Sequence, residues 1–130
     1  MDANRLDVTG QWEGQFSYPH ALPPESFSAS LFEAGAMLGG TVTERAPSAQ
    51  ACFIATVQGQ RHGVTVRFTK TYDGSGNRQH PVLYTGLLNA DGTEIEGEWR
   101  IAGSWSGAFR MSRRKGAATA ARREAEALVD

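Results

Sequence analysis

The sequence has very little cysteine and no long apolar run. Cys52 is the one cysteine among 130 residues, so an internal disulfide is impossible and nothing ties the chain to an oxidising compartment. No segment approaches the ~20 consecutive apolar residues of a membrane helix. The first ten residues lack the apolar stretch of a signal peptide. These absences predict a soluble cytoplasmic protein with no membrane partner.

An excess of one charge is also lacking. Thirteen Lys and Arg residues face fourteen Asp and Glu, which gives a net charge of -1. Nucleic-acid surfaces normally need a basic excess, so we expect no nucleic-acid partner. His20, His62 and His80 do not have the spacing of metal ligands, and no G-x-S-x-G elbow occurs. We therefore expect no metal, no cofactor and no catalytic residue.

Alternation of apolar and polar residues is the dominant pattern. It is clearest in residues 94–112, where large apolar side chains occupy every second position on both sides of a glycine-containing link at 102–104. Those side chains are Ile95, Trp99, Ile101, Trp105, Phe109 and Met111. Side chains of a strand point alternately to opposite faces, so this stretch predicts a hairpin with one apolar face.

The same pattern predicts eight strands in all. They span residues 8–18, 26–32, 37–45, 51–58, 62–72, 81–89, 94–101 and 105–112. Short strands at this spacing are typical of a sandwich or barrel. Every link is short enough to join adjacent antiparallel strands, so we predict an all-β, eight-stranded, up-and-down meander barrel. Residues 1–115 form this domain, and the Ala-rich residues 116–130 are predicted to form a C-terminal helix.

The lengths of the links predict two different barrel ends. Long links at 19–25, 46–50 and 73–80 alternate with tight links at 33–36, 59–61 and 90–92, and only the short link at 102–104, at the end with the long links, breaks the pattern. We call the end with the long links the mouth and the other end the floor. The interior of an eight-stranded barrel is filled by side chains or holds one small ligand, and binding sites favour barrel mouths.

Inward-facing positions near the mouth give the candidate ligand-binding residues: Tyr18, Lys70, Tyr72, Tyr84, Trp99 and Trp105. Lys70 shares the phase of Val64, Val66 and Phe68. The favoured interpretation is a strand-end lysine that reaches water. The alternative is an ammonium inside the barrel, paired with a ligand carboxylate or with Glu44. The tyrosines are interpreted first as core aromatics with wet tips, and the indoles either fill the barrel or form a platform for a flat ligand.

Several short motifs resemble those of calycin barrels, the group that includes lipocalins and avidins. Lipocalins begin with Gly-x-Trp, as Gly10-Gln11-Trp12 does here, and the resemblance implies that Arg113 packs as a cation over Trp12. Further motifs fall in an order similar to that of avidin-like barrels: Thr9-Gly10-Gln11-Trp12, Leu38-Gly39-Gly40-Thr41 with Glu44, Gly63-Val64-Thr65-Val66, Tyr84-Thr85-Gly86, and Ile95 followed by Trp99.

Departures from the avidin and lipocalin patterns argue against biotin and haem as ligands. Avidin-like proteins hold the biotin ureido group with an aspartate on the last strand, and this strand has none. Avidin-like proteins also use polar residues early in the first strand, and this chain has Glu13, Gly14 and Gln15 in their place. A haem-binding calycin would need a late histidine, and none follows His80. We expect a non-enzymatic barrel that binds a small, partly apolar molecule other than biotin.

Two alternative functions stay open. A small barrel enzyme, of isomerase or cyclase type, would use Lys70, His80 and Tyr84 near the mouth. A structural or interaction module would have a filled barrel and bind protein through its outer strands.

Two of the predicted strands, 51–58 and 81–89, are apolar on both faces. One set must face water: either Cys52 and Ile54 or Phe53 and Val57, together with Leu83 and Leu87 of the second strand. Exposed apolar patches mark contact surfaces, so we expect a homo-oligomer, most simply a dimer. Its apolar neighbours predict that Cys52 is a buried, inert thiol.

Overall fold

The computed structural model describes residues 7–19, 24–46, 51–73, 80–103 and 105–113. Within them, eight antiparallel strands close into a barrel in which each strand pairs with the next and β1 pairs with β8. The strands are β1 (Gly10–Phe16), β2 (Glu25–Ala34), β3 (Met37–Ala46), β4 (Ala51–His62), β5 (Thr65–Tyr72), β6 (Val82–Leu88), β7 (Glu94–Arg100) and β8 (Ser106–Ser112). The predicted meander barrel is confirmed. The helix predicted at 116–130 lies outside the described residues.

The period-two pattern fixes which side chains fill the barrel. On β6, Tyr84 and its alternate neighbours are buried, whereas Leu83 and Leu87 are exposed. On β4, Phe53 faces inward and Ile54 outward, which resolves the phase that the sequence left open. The prediction of a buried thiol is wrong, because Cys52 shares the outward phase of Ile54 and is exposed. No helix in the described part of the chain is long and apolar enough to cross a membrane.

The turn between β4 and β5 lies later than predicted. β4 continues through 59–61 to His62, and the chain reverses at Gly63, whose φ of 61° is left-handed and suits glycine. Gly59 is instead a point of close approach, since a Cβ there would lie 2.7 Å from the Phe68 Cβ. Val64, predicted to face inward, lies in the turn and is 44% exposed.

Glycine on the inner face makes room for aromatic rings. A Cβ on Gly14 would lie 2.4 Å from the Phe27 ring, and one on Gly107 would lie 2.7 Å from the Trp99 ring. Those rings therefore occupy the space that side chains on β1 and β8 would fill. Gly14 and Gly107 are therefore points of close approach on the inner face.

The floor is closed by a bidentate ion pair. Glu33 accepts from Arg61 Nε at 2.6 Å and from Arg61 Nη2 at 2.7 Å, while Arg61 Nη1 donates to the Gly63 carbonyl at 2.6 Å. The hydrogen bond and charge of Glu33 raise the pKa of Arg61 against the opposing effect of burial. This pairing ties β2 to the end of β4.

A second arginine connects the segment after β8 to the segment before β1 at the floor. Arg113 donates to the carbonyls of Asp7, Thr9 and Gly92, and its guanidinium carbon lies 4.3 Å from the centre of the Trp12 ring. The predicted cation–π contact is confirmed. Burial lowers the pKa of Arg113 to about 10, so the side chain still carries its charge at neutral pH.

Candidate functional site

Four polar side chains meet inside the barrel, on the mouth side of its middle. Glu44 comes from β3, Lys70 and Tyr72 from β5, and Tyr84 from β6; we call them the polar cluster. The side chains of Glu44 and Lys70 are 0% and 2% exposed. Both share the inward phase of apolar neighbours, so the strand alternation carries two charges into the core.

Hydrogen bonds connect the four side chains. Lys70 Nζ donates to Glu44 Oε2 and to Tyr84 Oη, the latter at 2.9 Å. Tyr72 Oη donates to the Glu44 carboxylate at 2.8 Å. The alternative interpretation, in which Lys70 pairs with Glu44 inside the barrel, is therefore confirmed. The favoured interpretation, a strand-end lysine that reaches water, is wrong.

Aromatic rings enclose the Lys70 ammonium. Nζ lies 4.8 Å from the ring centres of Phe16 and Tyr72 and 5.1 Å from that of Tyr84. These contacts add cation–π attraction to the ion pair. Phe16 was not among the predicted site residues, although its inward phase on β1 near the mouth was a signal that could have identified it.

Three further aromatic residues form what we call the aromatic rim. The rings of Tyr18 and Trp105 are stacked, with centres 5.4 Å apart and planes 27° apart, and the Trp99 ring meets both edge-on at 5.8 Å. Trp99 Nε1 donates to the Ser17 carbonyl at 2.9 Å, which fixes its indole. Phe16 contacts Tyr18 and Trp99, so the rim and the polar cluster are contiguous.

The six predicted site residues thus fall into two adjoining groups. Lys70, Tyr72 and Tyr84 gather around Glu44, while Tyr18, Trp99 and Trp105 form the rim. Trp99 is buried, as its inward phase predicts. Trp105 is not inward, because it lies before β8 begins and is 39% exposed.

The residues of the enzyme hypothesis do not all meet. Lys70 and Tyr84 are bonded to each other, but His80 is exposed on the segment before β6, apart from the buried cluster. His62 is exposed at the end of β4, within 3.2 Å of Gln60. Among the described residues, no group of three or more His, Cys, Asp or Glu is arranged to hold a metal ion.

A separate shallow groove of about 340 Å³ crosses β1, β2 and β3. It is lined by Thr9, Gly10, Ser30, Leu31, Phe32, Gly40 and Thr41. These positions lie towards the floor, and none of their side chains is charged. The groove therefore lies away from the polar cluster and offers no group that would orient a charged ligand.

Family models and curated proteins do not indicate a function for this site. No protein-family model matches the sequence, and no curated protein is significantly similar to it.

Proposed function

We propose that this protein is a non-enzymatic barrel that binds a small, flat, uncharged molecule at its mouth. The ring of the ligand packs on the aromatic rim, and its polar edge points towards the polar cluster. The observation that carries the proposal is the buried Glu44–Lys70 pair next to an aromatic rim in which Trp105 is exposed. Ligand sites combine apolar walls with a few converging polar groups in this way.

The aromatic rim supports a flat ligand. Trp105 keeps 39% of its surface exposed although it stacks on Tyr18. Aromatic faces favour stacked or edge-on partners, and such contacts add ~0.5–1.5 kcal/mol beyond the area they bury. The Trp99 indole next to this pair is oriented by its hydrogen bond to the Ser17 carbonyl.

The ion pair supports an uncharged ligand. Glu44 and Lys70 neutralise one another, so the cluster has no net charge to attract a bare carboxylate or ammonium group. Among the described residues of the cluster and the rim, a charged ligand would also find no unmatched counter-ion, and burying a bare charge costs far more than desolvating an amide or alcohol.

A pair of matched probes tests this proposal by isothermal titration calorimetry. The probes are 2-naphthamide and 2-naphthoate, which share a flat ring system and differ in charge. We expect the amide to bind at least about tenfold more tightly than the carboxylate, since one tenfold step corresponds to ~1.4 kcal/mol. Tighter binding of the carboxylate, or no binding of either, would contradict the proposal.

Two alanine variants locate the binding surface. Trp105→Ala removes part of the rim and is expected to weaken amide binding by about tenfold, in the range of a lost aromatic contact. Phe32→Ala is the matched control, because Phe32 is a 49% exposed aromatic residue on β2 near the floor. Equal losses in both variants would place the ligand elsewhere.

Kinship with calycin barrels is part of the same proposal. It is supported by the closed eight-stranded meander and by Arg113 over Trp12 of the Gly10-Gln11-Trp12 motif. The alternative function is a structural module with a filled barrel. The ring contacts among Phe68, Tyr84 and Phe109 inside the barrel favour that alternative, and the titration decides between the two.

A further inference from the structure

The outer face of β6 and its two neighbouring strands combines apolar and charged residues. Leu83 and Leu87 on β6 are 39% and 62% exposed, although leucine is usually buried. Thr85 lies between them on the same outward side. The full set, which we call the β6 face, consists of Thr65, Arg67, Thr69, Leu83, Thr85, Leu87, Glu96, Glu98 and Arg100.

The register of the sheet places opposite charges on either side of the leucine column. Arg67 on β5 pairs with Thr85, and Thr85 pairs with Glu98 on β7, so the three form one row across the sheet. Arg67 and Glu98 are both exposed. Within the described part of the chain, neither forms an ion pair.

We propose that the β6 face binds a second copy of this chain, with the twofold axis parallel to β6. An interface of this symmetry uses the same patch on both subunits. The axis sets Leu83 and Leu87 against the same residues of the partner subunit. It also sets Arg67 opposite Glu98 of the partner subunit, and this contact occurs twice.

The charge pattern selects this axis over its main alternative. A twofold axis across the strands would place Arg67 against Arg67 and Glu98 against Glu98. Like charges brought together at an interface cost several kcal/mol, whereas complementary charges favour association and fix its register. The β6 face is therefore self-complementary in one orientation. None of its residues belongs to the polar cluster or the aromatic rim.

Sedimentation equilibrium of the full chain tests the interface. We expect a mass of twice the 14.0 kDa of one chain. Leu87→Glu is expected to raise the dimer dissociation constant by at least about tenfold, because it buries two charges at the centre of the contact. Met37→Glu is the matched control, since Met37 is 60% exposed at the start of β3 and outside the β6 face. It should leave the constant unchanged.

Charge reversal tests the orientation. Arg67→Glu and Glu98→Arg should each raise the dissociation constant by at least about tenfold. The double variant Arg67→Glu/Glu98→Arg should restore it to within about threefold, because the opposite charges then face each other again. Unfolding curves verify that each variant folds. A monomeric wild-type protein, or a dimer that Leu87→Glu leaves intact, would overturn the proposal, and so would a double variant weaker than either single one.

Discussion

The Glu44–Lys70 pair is the residue-scale feature that sets this interior apart from an ordinary apolar core. Removing each ion from water costs several kcal/mol, and mutual attraction offsets this only when further hydrogen bonds satisfy both groups. The hydroxyls of Tyr72 and Tyr84 provide such bonds. The intact pair is therefore tolerated in the core, whereas either charge without its partner would destabilise the fold.

This interdependence predicts non-additive stability changes. Lys70→Met or Glu44→Met alone leaves one buried charge and should lower the free energy of unfolding by about 3–5 kcal/mol. The double variant removes both charges at similar volume and should lie within about 1–2 kcal/mol of the unmodified protein. Urea unfolding of the four proteins measures this cycle. A loss in the double variant equal to the sum of the single losses would contradict it.

At the scale of single elements, the Trp99 side chain of β7 determines which residue β8 can carry at position 107. Gly107 pairs with Trp99, and the indole lies where a Cβ of residue 107 would stand. The Ser17 carbonyl, which accepts from Trp99 Nε1, would lie 2.0 Å from that Cβ. β8 must therefore carry glycine here for the indole to keep its place at the rim.

An alanine at this position should be costly. We expect Gly107→Ala to lower the free energy of unfolding by about 3 kcal/mol, at the upper end of typical overpacking costs. Gly63→Ala is the matched control, because Gly63 has open space around it and a φ of 61°, so that only the left-handed conformation is penalised, by ~1 kcal/mol. Chemical denaturation compares the two. Equal losses would show that Trp99 moves freely.

The strands could be predicted from the sequence because apolar and polar residues alternate along them. Alternation identified all eight strands and the inward phase of Lys70, since burial imposes a period of two on a sheet with one wet face. The β4–β5 turn was misplaced because Gly59 and Gly63 look alike in sequence. Gly59 is required because Phe68 of the neighbouring strand lies too close for a Cβ, whereas Gly63 is required because the backbone there is left-handed. Neither the neighbouring strand nor the backbone conformation can be read from the glycine itself.

The candidate site was predictable only in part, for a similar reason. Phase placed Lys70, Tyr72 and Tyr84 inside the barrel, and Glu44 was a proposed partner of Lys70. Whether Lys70 reaches water or the core depends on how deep its row lies, which follows from the register of β5 with β4 and β6. The inward orientation predicted for Trp105 was wrong, because the alternation continues through residue 105 whereas β8 begins at Ser106 and Trp105 is 39% exposed.

On the scale of the whole molecule, the barrel has two chemically different ends. Glu33, Arg61 and Arg113 close the floor with hydrogen bonds to side chains and carbonyls. The mouth side instead carries the aromatic rim above a neutral buried ion pair. A ligand at the proposed site would therefore enter from the mouth, while the outer β6 face on the side of the barrel would stay accessible for the proposed contact with a second copy of the chain.

Native mass spectrometry of the full chain purified from cells is the most direct test of a ligand at the mouth. We predict a peak heavier than the 14.0 kDa chain, or than its dimer, by the mass of a small molecule that collision removes. Trp105→Ala should lose this added mass, and Phe32→Ala should keep it, because only Trp105 belongs to the aromatic rim. A spectrum that contains only the bare chain, alone or as a dimer, would contradict the account.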